Sequence, residues 1–459
     1  MSGSPDDLRA AIPAVVQQHL ETLWSAGVAA YVVGGSLRDS LLGRSAVDWD
    51  LATAALPERT AALFPDAVYE NTFGTVAVRT GDSSIELIEI TTFRSDHDYA
   101  DFRRPHRVEF SESIELDLAR RDFTVNAMAW GAEPEGPIRF VDPHDGQRDL
   151  GARLLRTVGE PDARFAEDAL RMVRAVRLAS ELSFTIEPAT QNAIARNAEL
   201  VRHLSGERIA AELRLMLAAP RPSVGFRLLA DTGLLAQLFP ELDTERGVPQ
   251  NKVPGEDLWD HTLRAVDGAA AAGAPTRIRL AALLHDIGKP STMADGRFVG
   301  HETVGASMAR SVLDRLRWPT RDRDAVVELI AQHMFGYTPD WSDAAIRRFI
   351  VKVGRERLDD LFALREADNV GSGRAPSAGR LSEFRTRVSA QLEAGVALDL
   401  QGLAVDGGDL MAEFGWRPGP VVGQTLRRLL DRVIGDPTLN TRDRLMAIAR
   451  GMVALDGRS

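Results

Sequence analysis

The sequence predicts an α+β/α architecture, in which a small mixed α/β region at the N-terminus precedes a helical remainder. Up to about residue 155, short runs rich in β-branched residues alternate with amphipathic segments. Beyond Pro161, apolar residues recur with a period near 3.6, which is typical of helices packed on a core. Hydrophobic residues make up 44% and charged residues 26% of the 459, as in globular proteins of several domains.

Changes in this pattern divide the chain into four predicted domains, which we call head, neck, body and tail. In chain order these are the strand-and-helix head (1–155), the helical neck (156–240), the His-bearing helical body (241–370) and the Arg-rich helical tail (371–459). A Pro- and Gly-rich passage at 240–256 predicts the linker between neck and body, and a Gly, Ser and Pro stretch opens the tail.

Composition excludes several classes of protein. Cysteine is absent, so disulfides and thiolate chemistry are excluded, and any metal must be held by His or carboxylate groups. Residues 1–27 lack a basic start followed by an apolar run, and no stretch approaches the ~18 apolar residues of a membrane helix. We therefore expect a cytoplasmic enzyme without a membrane partner, whose oligomeric state the sequence does not indicate.

The basic residues are unevenly placed, although the net charge of −11 argues against a uniformly basic surface. Only three of the 55 basic side chains are Lys. Arg residues cluster late in the head and early in the neck, for example at Arg94, Arg120, Arg121, Arg164, Arg171, Arg174 and Arg177. Because the planar guanidinium matches phosphates and base edges, these clusters favour contact with a nucleotide or a nucleic acid.

One strand–turn–helix–strand motif is the most informative part of the chain. The apolar run 29–33 leads into Gly34 and Gly35, and a short helical segment follows. Glycines at such a turn let backbone N–H groups approach a phosphate at the start of a helix. The next strand opens with Asp48 and Asp50, whose side chains point the same way because they lie two residues apart. A phosphate cradle beside paired carboxylates predicts phosphoryl transfer with a divalent metal.

A third carboxylate is expected from a neighbouring strand. The β-rich run 85–90 carries two candidates, Glu86 and Glu89. Strand parity puts them on opposite faces, so only one can face the metals. The residues alone leave open which one it is.

A dense polar block before the end of the head predicts contacts to a nucleotide. Arg121 can hold a triphosphate, while Asp122 and Asn126 can hydrogen-bond a ribose hydroxyl. A helix cap with solvated Arg side chains is the alternative explanation of the same residues.

A further block lies in a predicted helix at 163–181, where Asp168 and Arg171 are i, i+3 neighbours. A surface ion pair is the usual meaning of this spacing. Alternatively, the pair reads bases, because cytosine and adenine both offer an amino donor beside a ring-nitrogen acceptor. With uracil or guanine both contacts would be unfavourable, and each desolvated mismatch would cost ~1–3 kcal/mol. We also assign Arg174, from the same Arg cluster, to the nucleotide.

A second group of candidate metal ligands lies in the body, which holds four of the nine His residues of the chain. Neutral imidazoles and carboxylates are suitable ligands for a divalent transition metal or Mg²⁺. The candidates are His261, His285, Asp286, His301, His333 and Asp368. A helical platform with a vestigial site is the alternative.

In combination, the ordered motifs closely resemble those of the bacterial class II tRNA nucleotidyltransferases, the CCA-adding enzymes of the polymerase-beta-like superfamily. The motifs are GGSLRD, DWD, EITTFR, DLARRDFTVNAMA, DPHDGQRDL, EDALRMVRAVRLA and SGERIAAEL, and they span roughly residues 29–215. The resemblance implies addition of C, C and A from CTP and ATP to the tRNA 3′ end, without a nucleic-acid template.

The resemblance also implies roles for individual residues. The catalytic carboxylates would be Asp48 and Asp50, which hold two Mg²⁺ ions, with Glu89 as the third acid. The remaining nucleotide contacts would come from Gly34, Gly35, Ser36 and Arg38 at the triphosphate, Arg121, Asp122 and Asn126 at triphosphate and ribose, and Asp168 and Arg171 at the base. Glu207 and Arg208 would hold the base-reading helix in place.

The body resembles the HD phosphohydrolase superfamily. This resemblance implies that His261, His285, Asp286 and Asp368 bind one metal, that His301 and His333 assist a second, and that Lys289 contacts a phosphate. The metal is left open among Mn²⁺, Ni²⁺, Zn²⁺ and Mg²⁺. An intact ligand set implies phosphatase or 2′,3′-cyclic phosphodiesterase activity in addition to CCA addition.

Several alternatives remain open at this point. The segment 95–116 resembles the mobile loop needed to add the terminal A, which favours full CCA addition over CC addition. Poly(A) polymerases share the head motifs, and a metal phosphohydrolase with an RNA-binding head or a non-catalytic RNA-binding protein are further possibilities. Contacts to the tRNA elbow, or a solvated helical face, would explain the tail residues Arg427, Arg428, Arg432, Arg442 and Arg444.

Overall fold

The computed structural model describes residues 5–46, 48–69, 74–99, 105–250 and 252–456. The chain forms two compact units: one reaches to Asp243 and includes Asp314–Trp318, and the other comprises Thr244–Leu313 and the chain from Pro319 onward. Among the described residues, none of the helices combines the length and apolarity required to cross a bilayer.

The first unit is built on a mixed sheet of seven strands. Its strands, with those of two short ribbons, are β1 (Ala30–Val33), β2 (Trp49–Thr53), β3 (Ala67–Tyr69), β4 (Thr75–Arg79), β5 (Leu87–Thr92), β6 (Arg94–Tyr99), β7 (Pro105–Phe110), β8 (Ala129–Ala132), β9 (Arg139–Val141), β10 (Leu154–Leu155) and β11 (Thr185–Ile186). The sheet order is β3-β4-β5-β2-β1-β8-β9. The strands β2 and β5 run parallel, and the other neighbours run antiparallel.

Helices surround this sheet and continue beyond it. They are α1 (Pro5–Ala11), α2 (Ala14–Ser25), α3 (Gly34–Leu41), α4 (Pro57–Leu63), α5 (Ile114–Ala119), α6 (Gly146–Gly151), α7 (Pro161–Glu167), α8 (Leu170–Leu182), α9 (Pro188–Asn197), α10 (Gly206–Ala218), α11 (Pro222–Asp231), α12 (Leu234–Leu238) and α13 (Pro240–Asp243), with 3-10 turns at Thr124–Asn126 and Ala198–His203. A buried cluster that includes Tyr31, Phe93 and Leu118 packs against the sheet.

Strand periodicity explains how the sheet presents polar groups. The interior strand β1 is buried at all four residues, as its sequence AYVV predicts. In β5, Ile88 and Ile90 are buried whereas Leu87 and Glu89 are exposed, so Glu89 lies on the open face. The glycines after β1 begin α3, and Gly34 adopts a left-handed φ of +76°, which glycine tolerates without strain.

The neck differs from its prediction at one functional position. The helix predicted at 163–181 is two helices, α7 and α8, because Asp168 has extended backbone angles of φ −145° and ψ 105°. Its carboxylate accepts a hydrogen bond from the backbone N–H of Leu170 at 3.0 Å, which competes with helix continuation. The prediction that Asp168 and Arg171 share a helix face at i, i+3 was therefore wrong.

The second unit is helical apart from a two-stranded ribbon, β12 (Met293–Ala294) with β13 (Arg297–Phe298). Its helices are α14 (Leu258–Ala271), α15 (Thr276–Leu284), α16 (Lys289–Thr292), α17 (His301–Arg315, whose last two residues group with the first unit), α18 (Thr320–Gln332), α19 (Asp343–Val353), α20 (Leu358–Gly371), α21 (Leu381–Glu393), α22 (Gly407–Phe414), α23 (Pro420–Gly435) and α24 (Arg442–Asp456). The predicted fold class, a mixed α/β start followed by helices, is confirmed.

Candidate functional site

The turn between β1 and α3 brings a glycine, a carboxylate and a guanidinium together. A Cβ atom on Gly34 would lie 3.2 Å from both Asp50 Oδ2 and Arg121 Nη1. The missing side chain therefore lets a negative and a positive group approach the first turn of a helix, whose N–H groups favour an anion.

Register places two of the predicted acids side by side. Asp50 on β2 pairs with Glu89 on the parallel strand β5, while Asp48 is exposed just before β2. Burial raises the pKa of Asp50 to about 6; Arg121 opposes the shift, and the charges of Glu89 and Asp48 add to it. Strand parity left open whether Glu86 or Glu89 is the third acid. The register favours Glu89, because Glu89 is the residue that neighbours Asp50. The catalytic role of the three acids stays a prediction.

A cavity of about 440 Å³ opens beside these carboxylates. Its lining holds five Arg and three Asp side chains, a balance that suits a polyanion held next to a cation site. The charged and amide-bearing residues of the lining are Asp50, Arg94, Arg120, Arg121, Asp122, Asn126, Asp168, Arg171 and Arg174. The structure thus brings together residues from the three polar blocks of the sequence.

Asp117 organises the arginines of this cavity, and sequence reasoning assigned it no role. Its carboxylate is fully buried and accepts from Arg120 Nη2 at 2.7 Å and from Arg121 Nη2 at 3.0 Å. Burial alone would raise the pKa of Asp117, but Arg121 and Arg120 hold it below its usual value. The i, i+3 and i, i+4 spacing from Asp117 to the two arginines was the signal in the sequence.

Asp122 and Asn126 are joined by a hydrogen bond, and their predicted contact with a ribose stays a prediction. The Asn126 amide donates to Asp122 Oδ1 at 3.1 Å, and Arg174 Nη1 donates to Asp122 Oδ2 at 3.1 Å. Burial would raise the pKa of Asp122, yet Arg174 and the Asn126 amide lower it. Arg38 donates to Asn126 Oδ1 at 2.7 Å, which fixes the amide orientation with its NH₂ toward Asp122.

The base-reading candidates meet the cavity from the break between α7 and α8. Arg208 donates to Asp168 Oδ2 at 2.7 Å, in agreement with the supporting role predicted for Arg208. Arg171 donates to Glu167 Oε2 at 2.6 Å and to the Arg120 carbonyl at 3.1 Å, and it is 9% exposed. Asp168 and Arg171 both line the cavity, and the hydrogen bonds above fix the orientation of their side chains. They meet there because of the break at Asp168, although they do not share a helix.

Six residues predicted for the head site lie outside the cavity lining: Asp48, Glu89, Ser36, Arg38, Glu207 and Arg208. Ser36 is buried and donates to the Val33 carbonyl at 3.2 Å, so its hydroxyl braces the turn. Arg38 is 6% exposed and donates hydrogen bonds to the side chains of Asp39 and Asn126. Glu207 is exposed and pairs with Arg317 at 2.6 Å. The predicted mobile loop 95–116 includes the hairpin of β6 and β7; its residues 100–104 lie outside the described residues.

The six candidate ligands of the body meet at one place, and all are buried. Asp286 joins two groups through its two oxygens. Asp286 Oδ2 lies 3.1 Å from Nε2 of both His261 and His285, and Asp286 Oδ1 lies 3.3 Å from His301 Nε2 and 3.7 Å from His333 Nε2. Asp368 Oδ1 completes the first group, 3.5 Å from His261 Nε2 and 3.8 Å from His285 Nε2.

Hydrogen bonds orient three of the four imidazoles with Nε2 inward. The Nδ1 atoms of His285, His301 and His333 lie 2.7–2.8 Å from backbone carbonyls of Ala282, Phe298 and Ile330. Such bonds fix the tautomer that leaves Nε2 free as a ligand. Burial also lowers the pKa values of His261 and His333, which favours the neutral form that metals bind. The donor set fits two divalent ions that share Asp286.

The electrostatics of this centre suit a cation as well. Burial would raise the pKa of Asp286, but His285 and Lys289 keep it well below its usual range. Lys289 Nζ lies 2.5 Å from Asp286 Oδ2. A cavity of about 340 Å³, which we call the HD cavity, adjoins the ligands and is lined by four further cationic or hydroxyl-bearing positions, Lys252, Arg365, Ser372 and Arg374.

Comparison with known families finds three matching models along the chain. The Poly A polymerase head domain matches residues 30–156, and the probable RNA and SrmB-binding site of polymerase A matches residues 183–245. The HD domain matches residues 258–371, which include all six ligands of the body.

CCA-adding and A-adding enzymes are among the relatives of this chain. A CCA-adding enzyme from Geobacillus thermodenitrificans is 48% identical over 213 residues, 46% of this chain, so the chain spans about half of that relative (51%). A CCA-adding enzyme from Streptococcus thermophilus is 32% identical over 98% of this chain and 99% of its own length. An A-adding tRNA nucleotidyltransferase from Deinococcus radiodurans is 35% identical over 89% of this chain and 92% of its own.

A solved structure extends the similarity to the fold. The Bacillus stearothermophilus CCA-adding enzyme in complex with CTP superimposes with a TM-score of 0.73 at 29% identity. The superposition covers 97% of this chain and 100% of that one.

Proposed function

Because this chain belongs to the family of the tRNA nucleotidyltransferases, we propose that it adds C, C and A to the 3′ end of tRNA from CTP and ATP. One observation carries the proposal. Asp50 and Glu89 stand in register on parallel strands beside a cavity that Gly34 keeps open and five Arg side chains line. This is the arrangement that nucleotidyl transfer requires, with a cation site next to a triphosphate site.

The metal of the head would be Mg²⁺, held by Asp48, Asp50 and Glu89. Carboxylate oxygens are its preferred protein ligands, and it usually completes its shell with water and substrate phosphates. When bound, paired Mg²⁺ ions supply activation of the attacking hydroxyl and neutralisation of the leaving group.

The chain itself would bind and orient the nucleotide. Asp117 holds Arg120 and Arg121 toward the triphosphate, and the linked pair of Asp122 and Asn126 faces the ribose. In the reaction the tRNA 3′-oxygen bonds to the α-phosphorus and releases its proton to solvent, while the bond from that phosphorus to the β-bridging oxygen breaks and pyrophosphate leaves.

Asp168 and Arg171 would choose the base. Asp168 would accept from the amino group and Arg171 would donate to the ring nitrogen, a pattern that cytosine and adenine share. Arg208, Glu167 and the break before α8 hold both groups before a nucleotide arrives. Such preorganisation lowers the entropy cost of selecting the right base.

The test is sequencing of tRNA 3′ ends after incubation with all four nucleotides and Mg²⁺. With tRNA that lacks its CCA end, we expect C, C and then A, and no U or G. Addition of A alone, and only to tRNA that already ends in CC, would assign the chain to the A-adding activity of the Deinococcus relative. Long tracts of A would assign it to poly(A) synthesis.

A second function is favoured by the ligand cluster of the body. We propose that the body binds two divalent ions and hydrolyses phosphate esters, because six buried side chains converge with Asp286 between them. Metal analysis of the purified chain should show bound divalent ions that the variant His285→Ala/Asp286→Ala lacks. Equal metal contents in the two proteins would contradict the proposal.

A further inference from the structure

A second cavity of about 470 Å³, which we call the side cavity, adjoins the HD cavity. Met334 lines both cavities. We call the segment 333–335 the wall between the cavities, because His333 lines the HD cavity and Phe335 lines the side cavity. Likewise, His301 lines the HD cavity and its neighbour Glu302 lines the side cavity. The two cavities are therefore neighbours that share one lining residue.

The wall between the cavities is held rigidly. Arg365 Nη2 donates to the carbonyls of His333 at 2.5 Å and Phe335 at 2.6 Å, and its guanidinium stands 4.6 Å from the centre of the Phe335 ring. These contacts tie the wall to α20, the helix that carries Asp368. The two cavities thus keep a defined spacing.

The side cavity combines aromatic faces with cations. Phe335, Trp341 and Phe349 line it, and their rings pack on one another with centroids 5.4–6.2 Å apart. Arg348 and Lys352, one turn apart on α19, also line it. Within the described ranges, neither of these cations has an ion-pair partner. Rigid aromatic faces beside free cations suit a nucleobase with its neighbouring phosphate.

The placement of lysine in the whole chain points to the same pair of cavities. The chain has three Lys among its 55 basic residues. Lys252 and Lys289 line the HD cavity, and Lys352 lines the side cavity. Lys differs from Arg in carrying a compact point charge that can reach a single phosphate oxygen. Lys289 and Lys252 pair with Asp286 and Asp368 in the HD cavity, so Lys352 is the lysine that remains available for a phosphate in the side cavity.

We propose that the two cavities together bind the 3′ end of an RNA strand, with the terminal phosphate at the metal centre and the preceding nucleotide in the side cavity. Arg348 and Lys352 bind the internal phosphodiester, and the base stacks on the aromatic wall. This inference rests on the proposed hydrolysis by the body. In that reaction a water oxygen bonds to phosphorus and the bond between phosphorus and the ribose oxygen breaks. Inorganic phosphate leaves, and the ribose oxygen gains a proton. Glu302, the carboxylate in the lining, can accept from a 2′-hydroxyl or a base amino group.

The kinetic test compares two substrates, a 3′-phosphorylated hexaribonucleotide and p-nitrophenyl phosphate, on the full chain with divalent metal. In Arg348→Glu/Lys352→Glu the ratio of kcat/KM for RNA over aryl phosphate should fall about tenfold or more. The salt dependence of RNA binding should also become shallower by about 0.7 in log–log slope for the lost phosphate contact. The matched control, Arg321→Glu/Arg417→Glu, makes the same charge change at exposed positions that line neither cavity. An unchanged ratio overturns the proposal.

Cross-linking separates this inference from the hydrolysis on which it rests. A hexaribonucleotide with 4-thiouridine before its 3′-phosphorylated end should cross-link to the segment 334–353, and the double variant should lose that product. Cross-linking without hydrolysis would support the RNA site and contradict the hydrolase. Hydrolysis without this cross-link would overturn the RNA site. The milder Arg348→Gln/Lys352→Gln variant provides the same readouts should the Glu variant fold poorly.

Discussion

The head and the body hold their candidate metal ligands in opposite ways. In the head, Asp48 and Glu89 are exposed and Asp50 is half-buried at the mouth of an Arg-lined cavity. In the body every ligand is at most 9% exposed, and three imidazoles are oriented by backbone carbonyls. If the proposed metals bind, we expect the exposed ligands of the head to need a substrate to complete the site, and the buried ligands of the body to retain their metal.

The largest effect is expected from Asp48→Ala. Loss of a Mg²⁺ ligand should lower incorporation of both C and A by about 1,000-fold or more. Because Asp48 is exposed, the thermal unfolding midpoint and the metal content of the body should stay the same. Single-turnover incorporation and metal analysis measure both, and normal turnover would remove Asp48 from the metal site.

Chelation tests whether the burial of the ligands determines how fast each site loses its metal. Rapid passage through a column with EDTA should abolish nucleotide addition, and Mg²⁺ should restore it at once, because the ligands of the head are open to solvent. The metal of the body should survive the same passage, since its ligands are buried. Equally fast loss from both sites would show that burial does not distinguish them.

Selectivity should change by a smaller factor in Arg171→Ala. Removal of the donor to the ring nitrogen should weaken the discrimination of CTP and ATP from UTP and GTP by about 10- to 100-fold. The matched control is Arg177→Ala on the same helix, which pairs with Glu181 and Glu212 and does not line the cavity. Misincorporation assays measure the ratio, and unchanged rejection of UTP and GTP would end the base-reading assignment.

The smallest effect concerns the glycine that opens the head cavity. Gly34→Ala and Gly43→Ala both introduce Cβ at a left-handed φ, but only at Gly34 would it lie 3.2 Å from charged atoms; at Gly43 nothing lies within 4 Å. Both variants should lose about 1 kcal/mol of unfolding free energy to backbone strain. Only Gly34→Ala should also raise the KM for nucleotides, as steady-state assays and urea unfolding would reveal. Equal KM values for the two variants would contradict the close approach.

Local pattern was sufficient for much of the head. The apolar run before Gly34 predicted a strand and a turn, and both are present because they depend on neighbours in the chain. The strand predicted to open with Asp48 begins one residue later, at Trp49, so Asp48 precedes β2 and the pairing of Asp48 with Asp50 stays a prediction. The helix across Asp168 was wrong, since periodicity does not register a side chain that takes the N–H of Leu170.

Local sequence alone predicted which kinds of residue would meet a metal or a phosphate: two carboxylates two residues apart, His residues in a helical region, and Arg residues in clusters. Tertiary structure alone decided the partners. Parallel register set Glu89 beside Asp50, packing brought Arg174 to Asp122 from a distant helix, and Met334 came to line two cavities. The physical reason is range, because parity and helical period act over a few residues, whereas register, burial and cavity shape depend on segments that are distant in the chain.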